Sequence, residues 1–182
     1  FIPVEPPENS LINGTNSGSM TGFSVSTNAN GKTIAVASPY GNQVTNSYIR
    51  VYDYLPLPKG WTQRGQDIQS NSIGGNVRIS GDGNIILFSH YIVSESGSKN
   101  VQRYEFKNEL WENTDTIENP TLSKTFGLSM DSSDDCKIVC IGDPNFDNGK
   151  GKVYVYSWDT NTGRYTTPHE EPCPGGNKFG SE

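Results

Sequence analysis

The sequence predicts an all-β chain of tandem four-stranded antiparallel β-meander units, about three of them followed by the start of a fourth. Three observations predict it. The segments FSVSTNANGKTIAVASP from Phe23 and FGLSMDSSDDCKIVCIGDP from Phe126 share one order of features: aromatic, small residue, alternating apolar positions, polar turn, apolar strand, small residue, Pro. A weaker copy, VRISGDGNIILFSH, begins at Val77, so the starts lie about fifty residues apart. Finally, no segment carries a sustained 3.6-residue apolar stripe, so almost no helix is expected.

Each unit reads as strand, turn, strand, loop, strand, loop, strand. The first two strands flank Asn30-Gly31 and Asp82-Gly83. Those dipeptides tolerate positive φ and favour tight hairpins. The third unit has Ser-Ser-Asp-Asp there, which predicts a longer, looser turn. The third strands are IRVYDY (49–54), VQRYEF (101–106) and VYVYSW (153–158), each with the period-two alternation of a half-buried strand. An aromatic follows in every unit, at Trp61, Trp111 and Tyr165. A polar stretch holding one apolar residue follows the first two, Ile68 in GQDIQS and Ile117 in DTIEN. Four antiparallel strands per unit of about fifty residues describe a β-propeller blade. A blade cannot bury both faces alone, so neighbours must stack. Phe23, Phe126, Trp61 and Trp111 are therefore expected to fill the spaces between blades.

The unit boundaries fall at about 21–73, 74–123 and 124–178, with a fresh start at Phe179. Residues 1–20, with Pro3, Pro6 and Pro7 and then an Asn/Gly/Ser run, lack strand periodicity and read as an extended arm. Such an arm could pair with another subunit or supply a closing strand. Three blades fall short of the four to eight that typically close a ring. The expectation is a segment of a larger protein, or a chain completed by partners.

Composition narrows the function classes. A net charge of −6 opposes nucleic-acid binding, which needs a basic face, and opposes anionic membranes. No apolar run approaches the ~18 residues of a membrane helix. Twenty Gly and eleven Pro fit many turns. Three cysteines are not a disulfide framework. Cys136 and Cys140, four apart in CKIVC, would share one face of a strand and lie too far apart to bond easily, so two buried, inert thiols are expected. A bridge from Cys173 to either is the alternative, and the redox compartment stays open.

The run FSVS…GKTIAVASP…IRVY…WTQRGQDI resembles the FG-GAP-like repeats of integrin-type propellers. It is closer still to a divergent group whose units end in W-x-Q-x-G-x-D-I. Phe126-Gly127 and Ile141-Gly142-Asp143-Pro144 match both halves of the motif, Ser38-Pro39 matches the second half in part, and the middle unit has neither. The resemblance spans about residues 21–182. It implies a propeller, usually in extracellular, adhesive or surface-exposed proteins, and also in environmental microbial and large-virus proteins. The integrin-type calcium loop is missing between the FG and GAP strands, so the cation function does not carry over.

One other loop has calcium-like spacing. Asp143, Asn145 and Asp147 place oxygen ligands at alternate positions of a tight loop. The glycine comes one place late and no closing Glu follows, so an ordinary Asx-rich turn is the simpler reading. No cofactor is otherwise expected. Gly31-Lys32-Thr33 lacks both the first glycine and the strand-to-helix context of a P-loop. His90 and His169 are the only histidines, and no nucleophile motif accompanies them. Glu170-Glu171 and Asp134-Asp135 read as solvated turn charges. Asn13-Gly14-Thr15 is an N-glycosylation sequon.

The expected function is a non-catalytic structural or assembly module, or a binding module, of an extracellular or particle-surface protein, such as a cell-surface filament or a large-virus virion. Its partners would be other proteins or further copies of itself. The alternative is a recognition propeller that binds a protein or glycan on its loop face. A hydrolase on a propeller scaffold ranks last.

Overall fold

A computed structural model describes residues 11–43, 46–56, 58–70, 74–90, 100–121 and 123–166. Residues 1–10 of the expected arm, Cys173, His169, Glu170-Glu171 and the start at Phe179 lie outside this set.

The described chain forms three antiparallel sheets, each a meander of consecutive strands. The first holds β1 (Ser24–Thr27), β2 (Thr33–Gln43), β3 (Asn46–Leu55) and β4 (Gly60–Gln63), with β5 (Ile68–Ser70) also paired to β3. The second holds β6 (Gly74–Ile79), β7 (Ile85–His90), β8 (Asn100–Lys107) and β9 (Leu110–Glu118). The third holds β10 (Ser129–Ser132), β11 (Ile138–Asp143), β12 (Lys152–Asp159) and β13 (Arg164–Thr166). The only helical feature among the described residues is one distorted turn, α1 (Phe146–Gly149), with Asp147 and Asn148 at positive φ. The all-β blade architecture read from the sequence is what the chain adopts.

Strand pairing shows that the blades repeat residue for residue. Ala35 lies opposite Val51, Leu87 opposite Arg103 and Cys140 opposite Val155. One step along, Ala37–Ile49, Ser89–Val101 and Gly142–Val153 occupy the same place. On the first strands, Val25, Val77 and Met130 correspond. This register corrects the sequence alignment. Phe23 falls two residues late to match Phe126, and it corresponds to Leu128. Both are exposed, whereas Phe126 is 1% exposed and Phe23 is 58% exposed. The residues that do match are Thr21-Gly22 and Phe126-Gly127. Both glycines take positive φ and donate to the same carbonyl of the second strand, Ala37 and Gly142.

The hairpin turns are alike in all three blades, so the looser third turn is also corrected. Gly31, Gly83 and Cys136 occupy one position, all at positive φ. Each donates its amide to the residue three before it: Asn28, Ser80 and Ser133. A side chain at that residue folds back to hold the turn. Asn28 Oδ1 accepts from the Thr33 amide at 2.9 Å, Ser80 Oγ from Ile85 at 2.9 Å and Ser133 Oγ from Ile138 at 3.0 Å. This Asx/Ser scaffold holds Cys136 in a conformation that costs a Cβ-bearing residue about 1 kcal/mol or more. The two cysteines therefore do not share a strand face. Cys136 is buried in the turn, its thiol pushed up to about 11 by burial, while Cys140 is half-buried on β11. Both are free thiols.

Residues 15–21 pack as turns against the first blade. The Tyr40 amide donates to the Ser19 carbonyl, and Thr15 and Thr21 hydroxyls reach the Tyr48 phenol at 3.4 and 3.1 Å. Burial would raise the Tyr48 pKa, but hydrogen bonds from Ser38, Thr15 and Thr21 and the Arg50 charge outweigh it and bring it to about 8.

Candidate functional site

The chemistry of this chain is concentrated where one blade meets the next. The forward face of the first blade offers Ala35, Ala37, Ile49, Val51 and Ile68 to the rear face of the second, which answers with Val77, Ile79, Ile86, Phe88, Tyr104 and Trp111. The forward face of the second repeats this with Leu87, Val101 and Ile117, set against Met130, Val139, Ile141, Tyr154, Tyr156 and Phe126 of the third. Stacking of apolar faces drives this association.

Polar contacts then fix the register of each joint. The turns are strung together by backbone: the Ala29 amide donates to Gly81 at 3.1 Å, and the Gly81 amide donates to Asp134 at 2.6 Å. Inner strands are held by side chains of the preceding blade. Ser24 and Ser26 hydroxyls accept from the Val77 and Ile79 amides, both at 3.1 Å. Asn76 and Arg78, at the corresponding positions, donate to the Leu128 and Met130 carbonyls at 2.6 and 3.4 Å. At the outer edge the Trp111 amide donates to Gln66 Oε1 at 3.0 Å, and the Tyr165 amide to Asp115 Oδ2 at 2.8 Å.

Each joint also ends in an arginine stacked on an aromatic pair. Phe106–Trp111 and Trp158–Tyr165 pack with centroids 5.0 Å apart. Arg64 of the first blade lies 4.1 Å over Phe106, and Arg103 of the second 3.9 Å over Trp158. Arg64 belongs to the polar stretch after Trp61, which breaks the fourth strand into β4 and β5. There Arg50 forms a two-pronged pair with Asp67 at 2.8 Å and holds its carboxyl below the usual range. Arg64 donates to the Gly83 carbonyl and Asn84 Oδ1, while its own carbonyl accepts from Trp111 Nε1 at 2.9 Å. Gly65 takes positive φ, and a Cβ there would stand 2.9 Å from the Trp111 ring. Arg64, Gly65 and Gln66 are thus a clamp on the next blade, and Asp67 ties the stretch back to Arg50 and Gln63 of its own blade. Sequence reading placed these residues only as a unit ending; a short charged stretch gives no signal of which blade it grips.

The aromatic expectation divides. Trp111 and Phe126 fill joints. Trp61 holds the Trp111 position on the rear face of the first blade, half-buried beside Tyr54 at 5.3 Å, and Phe23 is exposed.

The forward face of the third blade carries the joint pattern with no blade against it among the described residues. Val153 corresponds to Ile49 and Val101, which are 0% and 1% exposed; Val153 is 67% exposed. Val155 and Ile138, on the same face, are 49% and 42% exposed. A shallow cleft of about 200 Å³ opens there between Ser129, Asp131, Cys140, Gly142 and Val153.

The expected calcium loop lies elsewhere. Asp143 is fully buried, and its Oδ1 accepts from Ser123 Oγ and Thr125 Oγ1, both at 2.6 Å. Asn145 is exposed, and its amide donates to Thr125 Oγ1 at 3.0 Å. Asp147 is exposed and pairs with Lys150 at 2.5 Å. Asp143 ends β11 as Ser38 and His90 occupy the matching position in the other blades, and each is bonded by a hydroxyl from the segment entering its blade. Thr21 reaches Ser38 at 2.9 Å, and Ser70 reaches His90 Nδ1 at 2.8 Å. Burial lowers the His90 pKa. The neutral ring donates from Nε2 to Gln102 Oε1 at 2.7 Å. These residues therefore form one repeated latch, with a carboxylate as its third version. Among the described residues no group of three or more His, Cys, Asp or Glu side chains is placed to hold a metal. Asn13, in the sequon, is exposed.

No protein-family model matches this sequence, and no curated protein matches it. Solved β-propellers do match its fold. A candidate 6-phosphogluconolactonase of Bacteroides fragilis aligns with a TM-score of 0.56 at 13% identity, over 82% of this chain and 38% of that one. The periplasmic gluconolactonase of Pseudomonas aeruginosa aligns with a TM-score of 0.55 at 15% identity, over 81% and 41%. The β-propeller domain of the Trilobed protease from Pyrococcus furiosus aligns with a TM-score of 0.53 at 17% identity, over 82% and 42%. The chain thus spans less than half the length of these propellers. The likeness is one of fold, and it does not single out the FG-GAP-like family.

Proposed function

We propose that this chain is a non-catalytic propeller module whose working surface is the forward face of its third blade, where a further blade docks in an assembly. The observation that carries this is the exposure of Val153 and Val155 at positions buried in both other joints, with Ile138 exposed beside them where Thr33 is buried and Ile85 half-buried. A monomer seldom leaves a contiguous apolar sheet face uncovered without using it. Placement at an extracellular or particle surface, and of the repeats in a divergent FG-GAP-like group, belongs to the same proposal. The exposed Asn13 sequon and the net charge of −6 are compatible with it.

Cys140 reports on this face. It lies among Gly142, Val153 and Ser129 and corresponds to Ala35 and Leu87, both 0% exposed in their joints. Iodoacetamide labelling at Cys140, followed by peptide mass spectrometry, is expected to be fast in dilute protein. It is expected to slow at least tenfold when the chain is concentrated or placed in its assembly. Cys136, buried and with its pKa raised, is expected to stay unlabelled in both conditions. An equal Cys140 rate in the dispersed and assembled states would remove the reading.

A further inference from the structure

Resting on the reading that the open face is a joint, we infer that its occupant is a second copy of this chain, docked head to tail through the rear face of its first blade. Two copies of the three described blades would make six, within the four to eight that propellers typically use.

The argument is residue for residue. The rear face of the second blade, which the first blade covers, presents Val77, Ile86, Tyr104 and Trp111. At the corresponding positions the rear face of the first blade presents Val25, Ile34, Tyr52 and Trp61. The four side-chain types are identical, yet Val25 is exposed and the other three are only half-buried. A surface that fits the joint is thus present at one end of the array, and its counterpart at the other.

The polar contacts extend in the same way. Asp134 holds the place from which Ala29 and Gly81 donate to the next turn, so its amide is aimed at the partner copy's turn carbonyl. Ser129 and Asp131 hold the places of Ser24 and Ser26, whose hydroxyls accept inner-strand amides. Both offer acceptors, as the Val25 and Thr27 amides of an incoming β1 require. Asp131, now on the exposed side of an ion pair with Arg78 at 2.9 Å, can keep that contact with its other oxygen. The contact joins two different surfaces, so it is heterologous, and the rotation it imposes decides between a closed ring and a filament.

Light scattering on the full chain across a dilution series tests this. Wild type is expected to show the mass of two copies. Val155→Asp spoils every forward face and Val25→Asp every rear face, so each variant alone should fall to one copy. Both positions are exposed in the single chain, and circular dichroism should show both variants folded. Mixing the two variants restores one sound joint, between the rear face of one and the forward face of the other. A one-to-one dimer should reappear, a result that dimers joined forward face to forward face, or rear to rear, cannot give. A single-copy wild type overturns the inference, and if Cys140 is nonetheless protected, the docking reading above stands with a different occupant. Dimers that survive both substitutions, mixtures that stay monomeric, or masses that climb past two copies also overturn it.

Discussion

Trp111→Ala is expected to be among the most damaging single substitutions in this chain, costing about 3–5 kcal/mol of stability. The indole is 4% exposed in the first joint, packed at a tilt against Phe106 and covered by Arg64 and Gly65. Truncation leaves a cavity between two blades and strips the Arg64 carbonyl of its donor. For a chain of this size about 1 kcal/mol moves Tm by roughly 2–4 °C, so a fall of about 10 °C should appear in a thermal melt. The control is Trp61→Ala. It removes the same side chain from the same blade position, but from a face that no described blade covers. In the dispersed chain it should cost only about 1 kcal/mol, mostly the packing on Tyr54. Equal losses for the two tryptophans would mean that the joint is not what stabilises the blades.

Phe126→Ala is expected to cost a similar 3–5 kcal/mol from the second joint. Its ring is buried among Leu87, Val101 and Ile141 and meets Tyr154 edge-on at 5.4 Å. Phe23→Ala should change stability by no more than about 0.5 kcal/mol, as befits an exposed side chain. Urea unfolding of the two variants separates them by midpoint at unchanged slope. This pair opposes the register seen in the strands to the alignment the sequence suggests, since only the alignment gives the two phenylalanines one role.

That contrast shows what a sequence can disclose about such a repeat. Strand count, blade period and the positions of Ile49, Val101 and Val153 were legible, because period-two alternation reflects burial directly. The hairpins at Gly31 and Gly83 were legible because glycine declares positive φ. The third hairpin was not, because Cys136 adopts that conformation under the hold of Ser133 and Asp135, and a cysteine gives no sign of it. Phe23 and Phe126 misled for a related reason. Each stands just before a strand, but register is set by pairing across the sheet, and a two-residue offset preserves the alternation while moving the residue out of the joint. The clamp from Arg64 to Gln66 was hidden because its partners, Gly83, Asn84 and Trp111, are distant in sequence. Asp143 was noticed for its loop spacing. Its burial, which turns it into a latch for Ser123 and Thr125, comes from the sheet beneath it.

The central claim is that each joint is built by the preceding blade reaching the backbone of the next. Amide hydrogen exchange at Val77 and Ile79, followed by NMR, tests it most directly. These two amides point away from β7 and meet the Ser24 and Ser26 hydroxyls, whereas the amide of Arg78 between them faces β7. The account predicts that all three are protected in wild type. In the double variant Ser24→Ala, Ser26→Ala, Val77 and Ile79 should lose at least tenfold protection while Arg78 keeps its own. Val77 and Ile79 amides that exchange at unfolded-chain rates in wild type, or that stay protected in the variant, would contradict it.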